Sequence, residues 1–375
     1  MMLGYKFRIY PSQEVQERLN KHLELCKWLY NRLLSELNKA KAEGRRLTQI
    51  DTQALIVKLK REENPELNQV YSKVLQMVNR QLWSNIYELA KRKKQGKKVG
   101  KLRYKTGNSM KTLNYNQRGF KIDSEHGKLI LSKIGSIPIK LHRPVDGEVK
   151  GVIIKRASSG RWYAIIQLKD KPKPLPPTGR VVGIDVGIRY FLTDSDGIRV
   201  ENPKFYDRTM RRLQILQRKL CRKVQGSKNW EKTRLQLAKT HERLVNQRND
   251  FLHKLSRYYV NNYDIIVVED LHLDPLLRQG GTLSRHIHDA SWSKFIALLS
   301  YKAASAGRRV VRVNPRGTSR GLSWNDPYRD YIAACRIKYR GLGQPCPPVE
   351  SRPLLRTISV AEVVSGQVYS MKQEA

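Results

Sequence analysis

The sequence predicts a multidomain chain, α+β in its first part and α/β in its second. An N-terminal small β-barrel with an inserted helical bundle is followed by a domain whose buried strands end in carboxylates. Three observations carry this reading. Residues 5–10 (YKFRIY) alternate polar and apolar and stop at Pro11, after which apolar residues recur at helical spacing. Strand-like runs then return between residues 119 and 168. A proline-rich stretch, 169–179, separates all this from the two apolar runs 180–187 (RVVGIDVG) and 263–269 (YDIIVVE), which carry Asp185 and Glu269.

Element by element, Ser12 can cap the helix that Val15, Leu19, Leu23, Cys26, Leu29, Tyr30, Leu33 and Leu37 stripe with apolar side chains. Further helices are expected near 52–61 and 68–94, so the helical insertion spans about 12–98. Strands are expected at 119–123, 128–132, 137–142 and 148–156, with a hairpin turn at Ser158–Gly160 leading into WYAIIQL. The opening strand is expected to pair with these later ones. Residues 1–168 thus form an N-terminal region, 169–179 a linker, 180–345 a second domain and 346–375 a tail without a core signal. Within the second domain a strand at 190–193 turns at Asp196–Gly197. A long basic helical stretch, 205–258, breaks near Gly226. A helix at 291–306, a strand at 308–313 and a helix starting near Asp330 complete it.

The 73 Lys and Arg residues outnumber the 33 Asp and Glu residues, for a formal net charge of +40. Such a surface repels itself and suits a polyanion, with phosphate backbones the first choice. The basic run 91–105 is followed by Tyr104, Tyr115 and Phe120 among Arg103, Lys105, Lys111 and Arg118. Aromatics interleaved with cations suit base stacking beside phosphate contacts; a solvated helix end and loop is the plainer alternative. Cys26, Cys221, Cys335 and Cys346 have no metal-binding spacing, so free thiols in a reducing compartment are expected. The opening residues lack a leader-like apolar stretch, and a cytoplasmic protein without membrane contact is expected. No nucleotide-binding phosphate loop or nucleophile elbow is present.

A carboxylate at the end of a buried strand costs energy unless it is paired, protonated or bound to a metal. Asp185 and Glu269 are such groups, although a strand-end Asp in G-I-D-x-G is also a common turn residue. In RNase H-like domains adjacent strands gather such acids, and two divalent ions clamp the attacking water and the leaving oxygen of a phosphodiester. Oxygen ligands suit Mg²⁺ or Mn²⁺. A third acid would come from a late helix, where Asp330 is the natural candidate and Asp326, in a turn-like Asn-Asp-Pro, a weaker one. His286 and His288 lie near Asp289 without ligand spacing and read as a surface loop.

Several segments in order resemble the TnpB family, the OrfB-type proteins of insertion sequences related to type V CRISPR effectors. They are YKFRIYP (5–11), CKWLYNRLL (26–34), GIDVG (183–187), VVEDL (267–271), VNPRGTS (313–319) and the tail ending SGQVYSMKQEA. The resemblance implies an RNase H-like nuclease domain of the RuvC type, with Asp185, Glu269 and Asp330 as catalytic, metal-holding acids. In the third motif Tyr328 stands for an Asp and Ile332 for an Asn. The zinc ribbon usual in the family is replaced by the eight residues 320–327, so no structural zinc is expected. The resemblance further implies a guide RNA and target DNA as partners, contacted by Lys6, Arg8, Tyr10, Arg103, Lys105, Arg118 and Arg316.

Three functions remain open at this level. One is an RNA-guided, metal-dependent DNA endonuclease. Another is a guided DNA-binding protein with an impaired nuclease, favoured by the missing ribbon and altered third motif. A strand-joining transposase is the third, since fold alone does not separate it from the others.

Overall fold

The computed structural model describes residues 2–169, 172–271, 280–349 and 353–366. The chain divides into two compact units, Met1–Asp170 and Lys171–Ala375. Most of the tail segment SGQVYSMKQEA lies outside the described residues.

The first unit opens with β1 (Met2–Ile9). The Ser12 hydroxyl accepts from the Val15 N–H at 3.4 Å and starts α1 (Gln13–Ala42). The chain continues through α2 (Gln49–Glu62), a 3-10 turn (Pro65–Gln69) and α3 (Ser72–Lys94). Six strands follow: β2 (Thr112–Asn116), β3 (Phe120–Asp123), β4 (Lys128–Leu131), β5 (Gly135–Lys140), β6 (Glu148–Arg156) and β7 (Trp162–Lys169). The sheet order is β2-β6-β7-β1-β5-β4-β3. Its two outermost strands, β2 and β3, are joined through the short turn Gln117–Gly119, so the sheet must curl into a nearly closed barrel. The opening strand therefore sits mid-sheet, paired to both β7 and β5. Phe7 and Ile9 point into the barrel core, and Lys6 and Arg8 point out. β2 lies just after the basic run, where the sequence reads no strand, because its alternation (TLNYN) is short and polar on one face.

The second unit begins with an antiparallel meander, β8 (Val181–Val186), β9 (Tyr190–Asp194) and β10 (Ile198–Glu201). Two long helices follow, α4 (Phe205–Cys221) and α5 (Lys228–Asn262), parted around Gly226. Then come β11 (Ile265–Glu269), α6 (Gly281–Ala290), α7 (Trp292–Ser305), β12 (Arg309–Val313) and α8 (Arg329–Leu342). β13 (Arg356–Ile358) and α9 (Val360–Ser365) close the described chain. The sheet order is β12-β11-β8-β9-β10-β13, with β11 parallel to both β8 and β12. Opposite Val200 and Glu201 the pairing skips Phe191, a bulge that lets Phe191 and Leu192 both enter one core.

Four expectations need correction. The proline-rich stretch is not a free linker. The Lys173 and Leu175 N–H groups donate to the Ser305 and Ala306 carbonyls, and Arg308 holds the Pro176 carbonyl at 2.6 Å. Proline favours extended backbone, and such a strand can lie along a domain as readily as between two. The residues after 345 are not merely a tail, because β13 pairs with β10 and buries Ile358, and α9 buries Val363. Both elements are too short to show periodicity. His286 and His288 sit on α6 rather than in a loop; His286 Nδ1 lies 3.3 Å from Asp207, and Arg248 pairs with buried Asp289 at 2.6 Å. Tyr115 and Phe120 do not offer stacking faces: Tyr115 is buried against Tyr71, and Phe120 packs on the barrel core.

Candidate active site

Parallel register brings Asp185 and Glu269 side by side. The last paired positions of β8 and β11 are Ile184 and Val268, and each acid is the next residue. Strand alternation puts both on the face that carries Gly183 and Val267. That face is covered by α8, and the covering is close. A Cβ on Gly183 would collide with the Ala334 carbonyl and lie 2.5 Å from the Lys338 nitrogen. A Cβ on Gly341 would collide with the Val267 side chain in the same way. Two glycines, one on each partner, thus let helix and sheet approach, and Asp330 sits in the first turn of α8.

Of the three acids, Asp185 is the one whose carboxyl responds to both of the others. Burial raises the Asp185 carboxyl well above the usual carboxylate range; the charges of Glu269 and Asp330 raise it further, and Arg329 offsets only part of this. Burial also raises Glu269, which the Thr318 hydroxyl and Arg340 partly stabilise as the anion. The Thr318 hydroxyl lies 2.7 Å from Glu269 Oε1. Its loop is pinned from α8: Arg336 donates to the Thr318 and Arg320 carbonyls, and Arg340 to the Asn314 and Arg316 carbonyls. Arg329 lies 3.6 Å over the ring of Trp324.

Partly buried like charges offset only in part by Arg329 and Arg340 are the electrostatic setting that a divalent cation relieves, and the donors are hard oxygens. The residue types therefore fit Mg²⁺ or Mn²⁺. As the side chains stand, no three His, Cys, Asp or Glu groups among the described residues are gathered closely enough to hold a metal. Thr318, Arg336, Arg340, Gly183 and Gly341 escaped the sequence reading. The signals were the i, i+4 spacing of the two arginines, the place of Thr318 inside VNPRGTS and that of Gly183 at the head of GIDVG.

The candidate nucleic-acid residues have unequal surroundings. Lys6 and Arg8 lie over the Tyr163 ring at 3.9 and 5.2 Å, and Arg8 is 5.4 Å from the Tyr10 ring, which is half exposed. Arg103 and Arg118 are exposed. Lys105 is half-buried over Tyr30 at 4.6 Å, its backbone held by both amide atoms of Asn31. Arg316 is exposed in the loop beside Thr318.

Family models match three stretches: one described as "Probable transposase" over residues 164–279, a "Helix-turn-helix domain" over 1–46, and a "Cas12f1-like, TNB domain" over 292–339. A protein of Streptomyces pristinaespiralis, provisionally named an RNA-guided DNA endonuclease, is 34% identical over 320 residues, covering 83% of this chain and 77% of its own. The chain belongs to the OrfB (TnpB) family of insertion-sequence proteins. InsQ of Escherichia coli K12, provisionally named in the same way, is 28% identical over 341 residues, covering 86% of this chain and 82% of its own. Among solved structures, Cas12f1 bound to a single guide RNA and target DNA shares the fold at a TM-score of 0.51 and 13% identity, over 90% of this chain and 98% of that one. In this family member the stretch matched as helix-turn-helix is one strand and one long helix. The third stretch spans α7, β12, the Thr318 loop and the Asp330 end of α8. No helix among the described residues is long and apolar enough to cross a membrane.

Proposed function

We propose that this protein is an RNA-guided DNA endonuclease whose second unit is an RNase H-like nuclease domain of the RuvC type. The observation that carries the reading is the parallel register that sets Asp185 and Glu269 at adjacent strand ends beneath the helix bearing Asp330, with the Asp185 carboxyl raised by both acids. The sheet supports it: an antiparallel β8-β9-β10 meander extended by β11 and β12 parallel to β8 gathers strand ends at one edge. The names of the relatives point the same way, and the guide RNA and target DNA held by Cas12f1 are the partners we assign here. A +40 chain has the charge to hold both.

In this reading Asp185, Glu269 and Asp330 hold Mg²⁺ or Mn²⁺, which when bound would activate water and stabilise the leaving oxygen of a phosphodiester. Asp185 and Glu269 present oxygens from adjacent strands, and Asp330 presents its own from the helix above. Thr318 fixes the Glu269 carboxylate, while Arg336 and Arg340 fix the Thr318 loop. Arg329 offsets part of the charge of the acids. No structural zinc is assigned, since residues 320–327 contain no cysteine.

A second reading, a guided DNA binder with an impaired nuclease, is favoured by one feature. Tyr328, where the family carries an acid, packs edge-on against Tyr331 at 6.4 Å instead. One experiment separates the two. The protein is co-expressed with its native flanking DNA so that a guide RNA co-purifies. It is then given a plasmid carrying the guide-matched site beside a randomised flank, in Mg²⁺. The endonuclease reading expects cutting by the wild type and none by Asp185→Ala with RNA binding retained. Target occupancy without cutting establishes the second reading, and equal cutting by Asp185→Ala removes Asp185 from the chemistry.

A further inference from the structure

A cavity of about 450 Å³ in the first unit lies among three elements: α1, the 3-10 turn and the turn between β4 and β5. Its lining is Arg18, Lys21, His22, Asn68, Gln69 and Lys133. Three cations and no acid face it. A second cavity on the same helices differs: Glu24 and Glu66 line it beside Lys21, Lys27 and Arg32. There Lys27 pairs with Glu24, and Arg32 pairs with Glu63 at 2.8 Å and with Glu36 at 3.1 Å. In the first cavity Arg18 pairs with Glu14 at 3.1 Å and Lys21 with Glu66 at 2.7 Å, neither acid lining the space, while Lys133 has no acid paired to it among the described residues.

Two further observations mark the first cavity. His22 is only 3% exposed, lines the space, and its Nδ1 has no hydrogen-bond partner. A buried polar atom without a partner is uncommon and costs free energy. Burial, with Arg18 and Lys21 beside it, holds the imidazole down to about 4, so it is neutral at physiological pH. The second observation is crowding among the cations. Lys60 is lowered by burial and then by the charge of Lys133. The acids paired to the lining cations stand toward solvent: Glu14 on Arg18 has 80% of its side chain exposed and Glu66 on Lys21 has 54%. Solvent-exposed pairs of this kind are weak and exchange readily for a stronger anion.

We propose that this cavity is a phosphate-binding site, in which Arg18, Lys21 and Lys133 neutralise the anion and the His22 ring and the Asn68 and Gln69 amides complete its hydrogen bonds. The chemistry asks for a compact, multiply charged oxyanion. Guanidinium and ammonium groups converge from separate elements, as phosphate recognition requires. The space is within the range of ligand pockets, about 300–1,000 Å³, so it takes the group together with part of whatever bears it. A nucleic-acid strand and a small phosphate ester both carry such a group. The site belongs to the first unit and the carboxylates to the second, so it does not depend on the nuclease reading.

The test uses the full chain with isotope-labelled histidine rings, observed by NMR while inorganic phosphate and then a short oligouridylate are added. Loss of one signal in His22→Gln assigns His22. Lys133 is exposed in a turn, so Lys133→Gln should melt as the wild type does. The His22 signal should move saturably with phosphate, and binding should weaken about ten-fold in Lys133→Gln, the loss of one charge-assisted hydrogen bond. A Lys133-dependent response to oligouridylate supports the site and puts the phosphate on a strand. A Lys133-dependent response to inorganic phosphate alone supports the site and marks a small ester as its ligand. No movement with either probe, or equal movement in Lys133→Gln, overturns the proposal. The assay reads binding alone, so its failure leaves the nuclease reading where it stood.

Discussion

The two faces of the second unit's sheet are built on opposite principles. On one face α5 and α7 press large rings together: Phe191 meets Phe251 at 5.2 Å and Phe295 at 5.4 Å, both edge-on. Asp194 on this face is fully buried, yet its oxygens accept from the Tyr259 hydroxyl at 2.9 Å and from the Asp196 and Ile198 N–H groups. On the other face the apolar cluster is small, with Val267, Val313 and Ile337 at its centre. There the helix approaches through Gly183 and Gly341, and the acids of the candidate site stand with fewer partners than their charge requires. One face thus supplies cohesion and gives its buried carboxylate hydrogen-bond partners. The other carries the charge of the acids beneath a closely packed helix, as the proposed nuclease site would require.

The comparison is broken most forcefully on the cohesive face. Phe251 is fully buried and touches both Phe191 and Phe205 edge-on. Phe251→Ala should cost about 3–5 kcal/mol through lost transfer energy and an unfilled cavity. Urea unfolding followed by the circular dichroism of the aromatic bands measures it. A loss under about 1 kcal/mol would show that the face repacks and that its rings are not the main source of cohesion.

Gly183→Ala strikes the other face. The new methyl group would meet backbone atoms of α8, which cannot rotate aside, so the helix must shift. Overpacking of this kind costs about 1–3 kcal/mol, less than the aromatic truncation. Its effect on cleavage should be larger in proportion, because a displacement of about 1 Å at the reacting groups can cost on the order of 10²-fold. Measuring both variants for stability and cleavage at a temperature where both are folded tests the division of labour. If Gly183→Ala cleaved as well as Phe251→Ala, helix approach would not govern the site.

What the sequence made legible follows the same division. Asp185 and Glu269 announce themselves because a carboxylate after an apolar run is conspicuous. The break near Gly226 between α4 and α5 shows because both helices are long enough for periodicity. The close seat of α8 does not show, since Gly183 lies unremarked in an apolar strand run and Gly341 carries no pattern of its own, and only their meeting with Ala334 and Val267 reveals their use. Tyr115 misleads for a related reason. Flanked by polar residues it looks available, but a strand turns alternate residues inward and Tyr71 covers it. β13 and α9 are held by Val200 and by a Ser359–Glu362 capping box, contacts too distant or too local for a pattern search.

The smallest effect is the most specific to the charged face. Asp185 has its folded-state pKa raised by burial, then by Glu269 and Asp330. A carboxyl of this kind binds more protons folded than unfolded. Its favourable contribution is present below the ordinary value near 3.8 and is lost as pH climbs through the raised one. In chelator, Asp185→Asn should therefore melt above the wild type at neutral pH, by roughly 2–4 °C in a unit of this size. The gain should shrink as pH falls towards 4, where the wild-type carboxyl is itself neutral. Adding Mg²⁺ should raise the wild-type midpoint and leave the variant's nearly unchanged, because a cation can relieve only a repulsion that is present. A variant that melts below the wild type at neutral pH in chelator would mean that Asp185 is satisfied by its protein neighbours. The contrast between the two faces would then rest on packing alone.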